Sequence, residues 1–435
     1  MPARRARRRL VAWCAAALVG ASPALLRAQA AVPFVVAPSA VPCLNLRAHP
    51  DSDAPSVACL TPGTHVTATA AAPYWRQVTL ADGRTGWAAK KFLDPDTAAA
   101  PAATGALPDS NAWLEIHVVD VGQGDGIWIH TWDDGIPGNG VYEGRNIVID
   151  GGPDASDAKN AFLHYLLDRA HEGAVIDAMI ITHPHDDHYP GAEGILRHFD
   201  VREYYDSGYP KQGSRWAGFL ALADAERAGG APVVQHHGRA QLGTPEWGRE
   251  LSARFLWAWD GNAAGLGSGN TLENNASIVL RIDYGTQSIL LMGDAEGKDR
   301  DDPPDAPRYV ERWLLDSVGA AGLHATVLKV AHHGSETSST TPFIAAVDPR
   351  VVLVSSGRKS FGGTYLPDRT TLARYCAHDP ATRIYRTDQD DAAEGRTTQD
   401  DADGDDIVVR TNGRVTLVEA HSGGHAITPT TCSAD

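Results

Sequence analysis

Three histidines and two aspartates crowd into six residues, His183-Pro184-His185-Asp186-Asp187-His188, directly after Ile180-Ile181-Thr182 and just before Tyr189-Pro190-Gly191. The run before them predicts a buried strand, and ligand sites in α/β proteins gather in loops at strand ends. Pro184 and Pro190 keep the segment out of a helix, so it can fold its side chains around cations. His183 and His185, two residues apart, can both reach one metal ion, while Asp187 and His188 face a second. Imidazole with carboxylate suits zinc, manganese or iron. A polar turn with incidental histidines is the poorer account, because clusters with ligand spacing are among the more specific signals in a sequence.

The pattern His183-x-His185-x-Asp187-His188 resembles the signature of the metallo-β-lactamase superfamily, and the likeness extends further. Val118-Val119-Asp120-Val121-Gly122-Gln123-Gly124-Asp125 resembles the opening strand and loop of the ComEC-type branch, the metallo-hydrolase domain attached to competence DNA-uptake channels. Ile149-Asp150-Gly151-Gly152, Asn274-Asn275-Ala276-Ser277, Leu290-Leu291-Met292-Gly293-Asp294 and Leu328-Lys329-Val330-Ala331-His332-His333-Gly334-Ser335 follow in the order of that branch.

The resemblance implies an α/β fold, the metallo-β-lactamase αββα sandwich, holding two divalent metal ions, zinc as first choice and manganese as second. By position, the expected ligands are His183, His185, Asp187, His188, Asp294 and His332. Asp294 is expected to bridge both ions and His332 to be the last ligand of the second, with His333 as its substitute. Many members supply a further His between the main motif and the bridging Asp. His236 and His237 lie in that interval without a matching motif, and Asn275 and Ser277 occupy the place instead. The expected catalytic residues are therefore Asn275, Ser277 and His333, together with Asp187, which is placed to orient the attacking water. One departure stands out: the branch tends to read Gly-His-Pro late in the domain, where this chain has Tyr365-Leu366-Pro367. Leu366 cannot coordinate, donate a proton or bind phosphate, so reduced or altered activity is expected at this departure from the branch.

The resemblance favours a phosphodiesterase or nuclease. Hydrolysis of a carboxylic ester, lactone or β-lactam is the second reading, since the same centre can attack carbonyl carbon, and fold does not choose between them. A cell-envelope binding protein with a weakly active or inactive metal domain is the third. Other chemistries fit poorly. Gly122-Gln123-Gly124-Asp125-Gly126 is followed by strand-like Ile127-Trp128-Ile129 and not by a helix, which rejects dinucleotide binding and leaves a tight loop whose Gln123 and Asp125 approach the metal site. Ser356-Gly357-Arg358-Lys359 fits a loose SxxK pattern, but neither SDN nor KTG occurs, nor does a GxSxG elbow. The acid-crowded stretch 388–406 lacks ordered EF-hand spacing and reads as a solvated loop.

The elements that must position these groups alternate. Strands are expected over 114–121, 127–131, 146–149, 176–182, 277–284, 288–292, 325–330 and 351–355, and helices over 157–169, 192–199, 215–228, 306–318 and 368–377. This interleaving argues for central sheets covered by helices, in a domain over 111–420. Residues 200–275 carry little pattern and are expected to build one wall of the cleft. Their Tyr209, Trp216, Trp247, Trp257 and Trp259 read as packing residues before substrate contacts.

Ahead of this domain, 95–110 shifts to Ala, Pro, Thr and Gly and reads as a linker, and 421–435 as a tail. Short strands over 44–47, 64–70, 75–80 and 86–89 predict a small all-β barrel. Leu44-Asn45-Leu46-Arg47, Pro62-Gly63-Thr64, Tyr74-Trp75 and Asp82-Gly83-Arg84-Thr85-Gly86-Trp87 resemble the bacterial SH3-like domain, assigned to 31–94. That resemblance implies peptidoglycan or a protein as a partner; a passive stabilising module is the alternative.

Arginines at 4, 5, 7, 8 and 9, an apolar run over 10–26 and Ala28-Gln29-Ala30 predict a signal peptide over 1–30 and a secreted or periplasmic protein. Arg7-Arg8-Arg9-Leu10-Val11 loosely resembles a twin-arginine signal, with Ala6 where Ser or Thr would stand. Beyond it, no apolar stretch is long enough for a membrane helix. Four cysteines then remain, and an even number in an exported chain predicts two disulfides, Cys43 with Cys59 and Cys376 with Cys432. The net charge is −16, from 38 basic and 54 acidic residues; losing the six arginines of 1–30, which hold no acid, makes it −22. Such a balance disfavours broad electrostatic capture of nucleic acid, while leaving room for a local cationic cleft.

Overall fold

A computed structural model of the chain describes residues 32–37, 40–52, 54–72, 75–89, 92–95, 113–131, 144–170, 174–228, 234–248, 251–357, 359–389, 405–422 and 425–426. The expected signal peptide, most of the linker, most of the acid-rich stretch and Cys432 lie outside them.

The apolar runs form strands buried on both faces, and their two-residue period divides each strand between two cores. Ile147 and Ile149 point into the layer between the sheets, while Val148 packs outward beneath Phe162, Leu166 and Ile195 of the covering helices. In the second sheet Val351 and Leu353 point inward and Val352 and Val354 outward, against Phe343 and Ile344. Helix, sheet, sheet and helix thus stack in four layers, as the interleaved pattern predicts.

The first sheet has nine strands in the order Val234–His237, Asp200–Asp206, Val175–Ile181, Asn146–Asp150, Gly126–His130, Leu114–Val118, Ile407–Thr411, Thr416–Ser422, His425–Ala426. The second has six, in the order Leu251–Trp257, Val279–Tyr284, Gln287–Leu291, Val327–Lys329, Val351–Val354, Arg383–Arg386. Each sheet joins an antiparallel meander to parallel strands, Asn146–Asp150 leading into them in one and Gln287–Leu291 in the other. Asp150, His183, Asp294 and His333 all stand at or just beyond the carboxyl ends of these strands.

The segment that reads as featureless in sequence does more than form a cleft wall. Asp200–Asp206 and Val234–His237 complete one sheet, and Leu251–Trp257 opens the other. Trp216, Trp247, Trp257 and Trp259 are buried, and Tyr209 meets Trp259 edge to face with centroids 5.2 Å apart. Packing is their work.

The N-terminal unit is a seven-stranded sheet with Phe34, Leu46, Val66, Val78 and Ala88 in its core. It takes in Val32–Val36, Ser56–Leu60 and Leu93–Pro95 in addition to the strands expected from sequence. Cys43 and Cys59 are disulfide-bonded, with Cα atoms 5.5 Å apart. Arg76, its guanidinium 4.5 Å from the Phe34 ring centroid, forms an ion pair with Asp200 of the large domain. Among the described residues no helix is long and apolar enough to cross a membrane.

Candidate metal centre

The loop 183–191 is held against 150–152 by direct backbone contact. Gly151 N donates to His188 O at 2.6 Å, and a Cβ on Gly151 would stand 2.1 Å from Ala192 N. Only glycine permits that approach. Asp150, in a left-handed conformation (φ 58°), turns its carboxylate back under the loop. It accepts from Thr182 N at 2.8 Å and Thr182 Oγ1 at 2.7 Å, and pairs with His188 Nδ1 at 2.8 Å. This fixes the His188 ring so that Nε2 faces the centre.

Four overlapping groups of donor atoms result among the described residues; Asp125, Asp294, His333 and Asp125, Asp150, His188 are two of them, and the other two meet at Asp294. His183, His185 and Asp294 form the first; His183 Nε2 lies 3.0 Å from His185 Nδ1 and 3.8 Å from Asp294 Oδ2. Asp187, His188 and His333 form the second. His188 Nε2 is 3.4 Å and His333 Nε2 3.5 Å from the same Asp294 Oδ2, and His333 Nε2 is 3.5 Å from Asp187 Oδ2. In a tetrahedral site with bonds of about 2.0–2.1 Å, ligand atoms stand roughly 3.4 Å apart, so these spacings suit a cation. Asp294 lies between the groups, where a bridging carboxylate belongs.

The donor chemistry fits cations for a second reason. His188 Nε2, His333 Nε2, Asp294 Oδ1 and Asp125 Oδ1 are buried without a hydrogen-bond partner. Orphaned buried polar atoms are costly, and the two imidazole nitrogens that converge on Asp294 imply a species that satisfies them together. The electrostatics agree. Burial would raise Asp294, but His333 and His188 outweigh it and hold its carboxyl well below the usual range. Burial would likewise lower His188 and His333, yet the carboxylates around them hold both well above the ordinary imidazole range. His183, by contrast, is pushed well below that range by burial and by its histidine neighbours.

Support comes from a surrounding layer. His185 Nε2 contacts Glu273 Oε2 at 3.0 Å, which leaves Nδ1 for the centre, and Lys211 caps the same carboxylate oxygen. His333 Nδ1 contacts Ser355 O at 2.8 Å. Asp125 faces His333 Nδ1 at 3.5 Å and forms an ion pair with the fully buried Lys329. Ligand orientation by such groups typically carries a 10–100-fold effect on metal affinity. Asp150→Asn should therefore weaken metal binding by about 10–100-fold with the fold retained, read by competition with a chromophoric chelator.

Three expected site residues stand outside the donor groups. His332 is not in either donor group: its ring turns to Glu296 at 3.2 Å and Thr337 at 3.1 Å, while its neighbour His333 enters the centre. Both residues are left-handed, φ 48° and 52°, so the chain curls at this point and sends adjacent side chains in different directions. Asn275 spends its amide on backbone, donating to Leu266 O at 3.0 Å and accepting from Glu296 N at 2.8 Å. Ser277 Oγ accepts from Asp294 N at 2.9 Å. Asn275 and Ser277 thus brace the Asp294 loop and do not enter the donor groups. His236 stacks on Tyr205 and His237 pairs with Asp206, so neither enters them. Leu366 is buried, and its carbonyl accepts from Ser356 Oγ at 2.9 Å.

Asp150, Glu273, Lys211 and Lys329 received no role from sequence. Asp150 sits in a quoted motif, and a lysine inside the apolar run Val327-Leu328-Lys329-Val330 is itself a signal, since a buried lysine needs a partner.

The metallo-beta-lactamase superfamily model matches residues 141–358, half of the chain, and the bacterial SH3 domain model matches 43–94. Recombination protein 2 of Haemophilus influenzae is 26% identical over 248 residues, covering 56% of this chain and 24% of that protein. ComE operon protein 3 of Bacillus subtilis is 24% identical over 295 residues, covering 63% and 32%. The chain thus spans about a quarter to a third of the length of the curated relatives it matches. Among solved structures, a long form RNase Z from yeast is similar over 61% of this chain and 40% of its own, with 9% identity and a TM-score of 0.33. The chain belongs to the metallo-β-lactamase superfamily, carries a bacterial SH3 domain, and has its homologues among competence proteins of the ComEC type.

Proposed function

We propose that this protein is an exported metal-dependent phosphodiesterase. The observation that carries the reading is the pair of donor groups joined at Asp294. Two divalent cations, zinc or manganese, held by His183, His185 and Asp294 and by Asp187, His188, His333 and Asp294, would lower the pKa of a water toward neutrality and neutralise charge on the attacked group. Asp187 orients that water and holds its proton at a carboxylate oxygen. Asp150 and Glu273 keep the rings of His188 and His185 in the tautomers the centre needs. The first donor group has three members, which leaves a position for a substrate oxygen.

Phosphorus is favoured over carbonyl carbon because such cation pairs suit in-line displacement, and because relatives carry names tied to recombination and competence. The net charge of −16 calls for recognition confined to the site. The disulfide and the SH3 domain support a location outside the cytoplasm, with peptidoglycan as a partner.

Bis-p-nitrophenyl phosphate and nitrocefin, offered to the mature chain with zinc or manganese, test the reading. Metal-dependent release from the phosphodiester is expected, falling by about 10²–10⁴ in Asp187→Ala. Undiminished turnover in that variant removes Asp187 from the mechanism. Cleavage of nitrocefin alone moves the substrate class to lactams.

A further inference from the structure

We propose that the hairpin over 360–365 is a stacking platform for the bases of a single-stranded nucleic acid whose backbone lies in the metal centre; this rests on the phosphodiesterase reading. Phe361 and Tyr365, 44% and 49% exposed, are the only exposed Phe, Tyr or Trp side chains among the described residues, and both lie on this one hairpin. Ser360–Phe361 pairs antiparallel with Thr364–Tyr365 across Gly362-Gly363, both left-handed (φ 64° and 95°), a turn that suits a tight hairpin. Ser360 stands opposite Tyr365 and Phe361 opposite Thr364, so the two aromatic rings project from opposite faces. The hairpin presents a ring on each side.

Its roots are in the centre. Ser355, five residues before it, accepts from His333 Nδ1 at 2.8 Å and donates from Oγ to Gly124 O at 2.7 Å. On the return, Ser356 Oγ holds Leu366 O, and Pro367 packs so close to Gly334 that a Cβ there would lie 2.6 Å from Pro367 Cβ. Phe361, six residues beyond Ser355, is at most about 20 Å from it, a span a short oligonucleotide bridges. Lys359 Nζ lies 5.3 Å from the Phe361 ring centroid, placing one cation for a phosphate beside one face for a base. An acidic chain gains little from phosphate neutralisation, so stacking, which is indifferent to base identity, is the interaction left to it.

The test is fluorescence anisotropy of a labelled single-stranded oligodeoxynucleotide and of an abasic strand of equal length. Both are bound to the full mature chain carrying Asp187→Ala so that neither is cut. The base-bearing strand should bind more tightly. Phe361→Ala and Tyr365→Ala should each raise its Kd by about 5- to 150-fold and leave the abasic strand unchanged, with Phe361→Trp restoring affinity. Its salt dependence should be shallow. Equal affinity for the two strands, no saturable binding of the base-bearing strand, or indifference to Phe361→Ala overturns the proposal even if bis-p-nitrophenyl phosphate is cleaved. Saturable binding to phospholipid vesicles in its place, lost in Phe361→Ala, assigns the hairpin to a membrane surface and overturns it too. Base-dependent binding without cleavage of any phosphodiester would uphold the platform and remove the phosphodiesterase reading alone.

Discussion

Asp294→Ala is expected to empty both cation positions and to lower turnover by roughly three orders of magnitude, since cations contribute several kcal/mol to charge stabilisation and each 1.4 kcal/mol is a factor of ten. Asp294 Oδ2 lies 3.4 Å from His188, 3.5 Å from His333 and 3.8 Å from His183, so one carboxylate oxygen touches both donor groups. Without it the first group keeps two imidazoles and the second loses its central anion. Metal analysis of the purified variant by mass spectrometry checks the claim. His332→Ala is the control: its ring faces Glu296 and Thr337, so that variant should keep both ions.

The second large effect concerns stability. Lys329 and Asp125, separated by 204 positions, form a buried ion pair between the two sheets. Beside the pair lies a cavity of about 10 Å³ lined also by Thr182, Gly293 and apolar side chains, room for about one water molecule. Lys329→Met removes the ammonium paired with the buried Asp125 carboxylate and leaves it facing only imidazoles, His333 at 3.5 Å and His188 at 4.0 Å, and breaking such a pair from one side costs about 3–5 kcal/mol. Urea denaturation of metal-free protein should show that loss; bound cations would themselves neutralise Asp125 and mask part of it. Lys329→Met combined with Asp125→Leu should recover most of the stability, because replacing both partners by apolar groups is close to neutral.

How much of this is legible in sequence follows from where each group comes from. His183, His185, Asp187 and His188 share one loop after one strand, so their spacing alone predicts a metal site, and the structure gathers them. The strands beneath are equally readable because both faces are buried: 146–149 and 351–355 are apolar at nearly every position. Adjacent His332 and His333 offer identical chemistry, and a pair of left-handed backbone angles separates them, which no residue type announces. Asn275 and Ser277 stand at the position where a ligand is expected, but hydrogen bonds to the loop around Asp294 occupy them, a tertiary fact. Glu273 and Lys211 come from a stretch without periodicity and reach His185 only through the folded chain.

The most direct test of a dinuclear hydrolytic centre is recovery of phosphodiester turnover when the chelator-stripped protein is titrated with manganese or zinc. The account predicts no turnover in the stripped protein and a rise that breaks at two equivalents per chain. Full turnover in protein shown to be free of metal, with the fold intact, would contradict it.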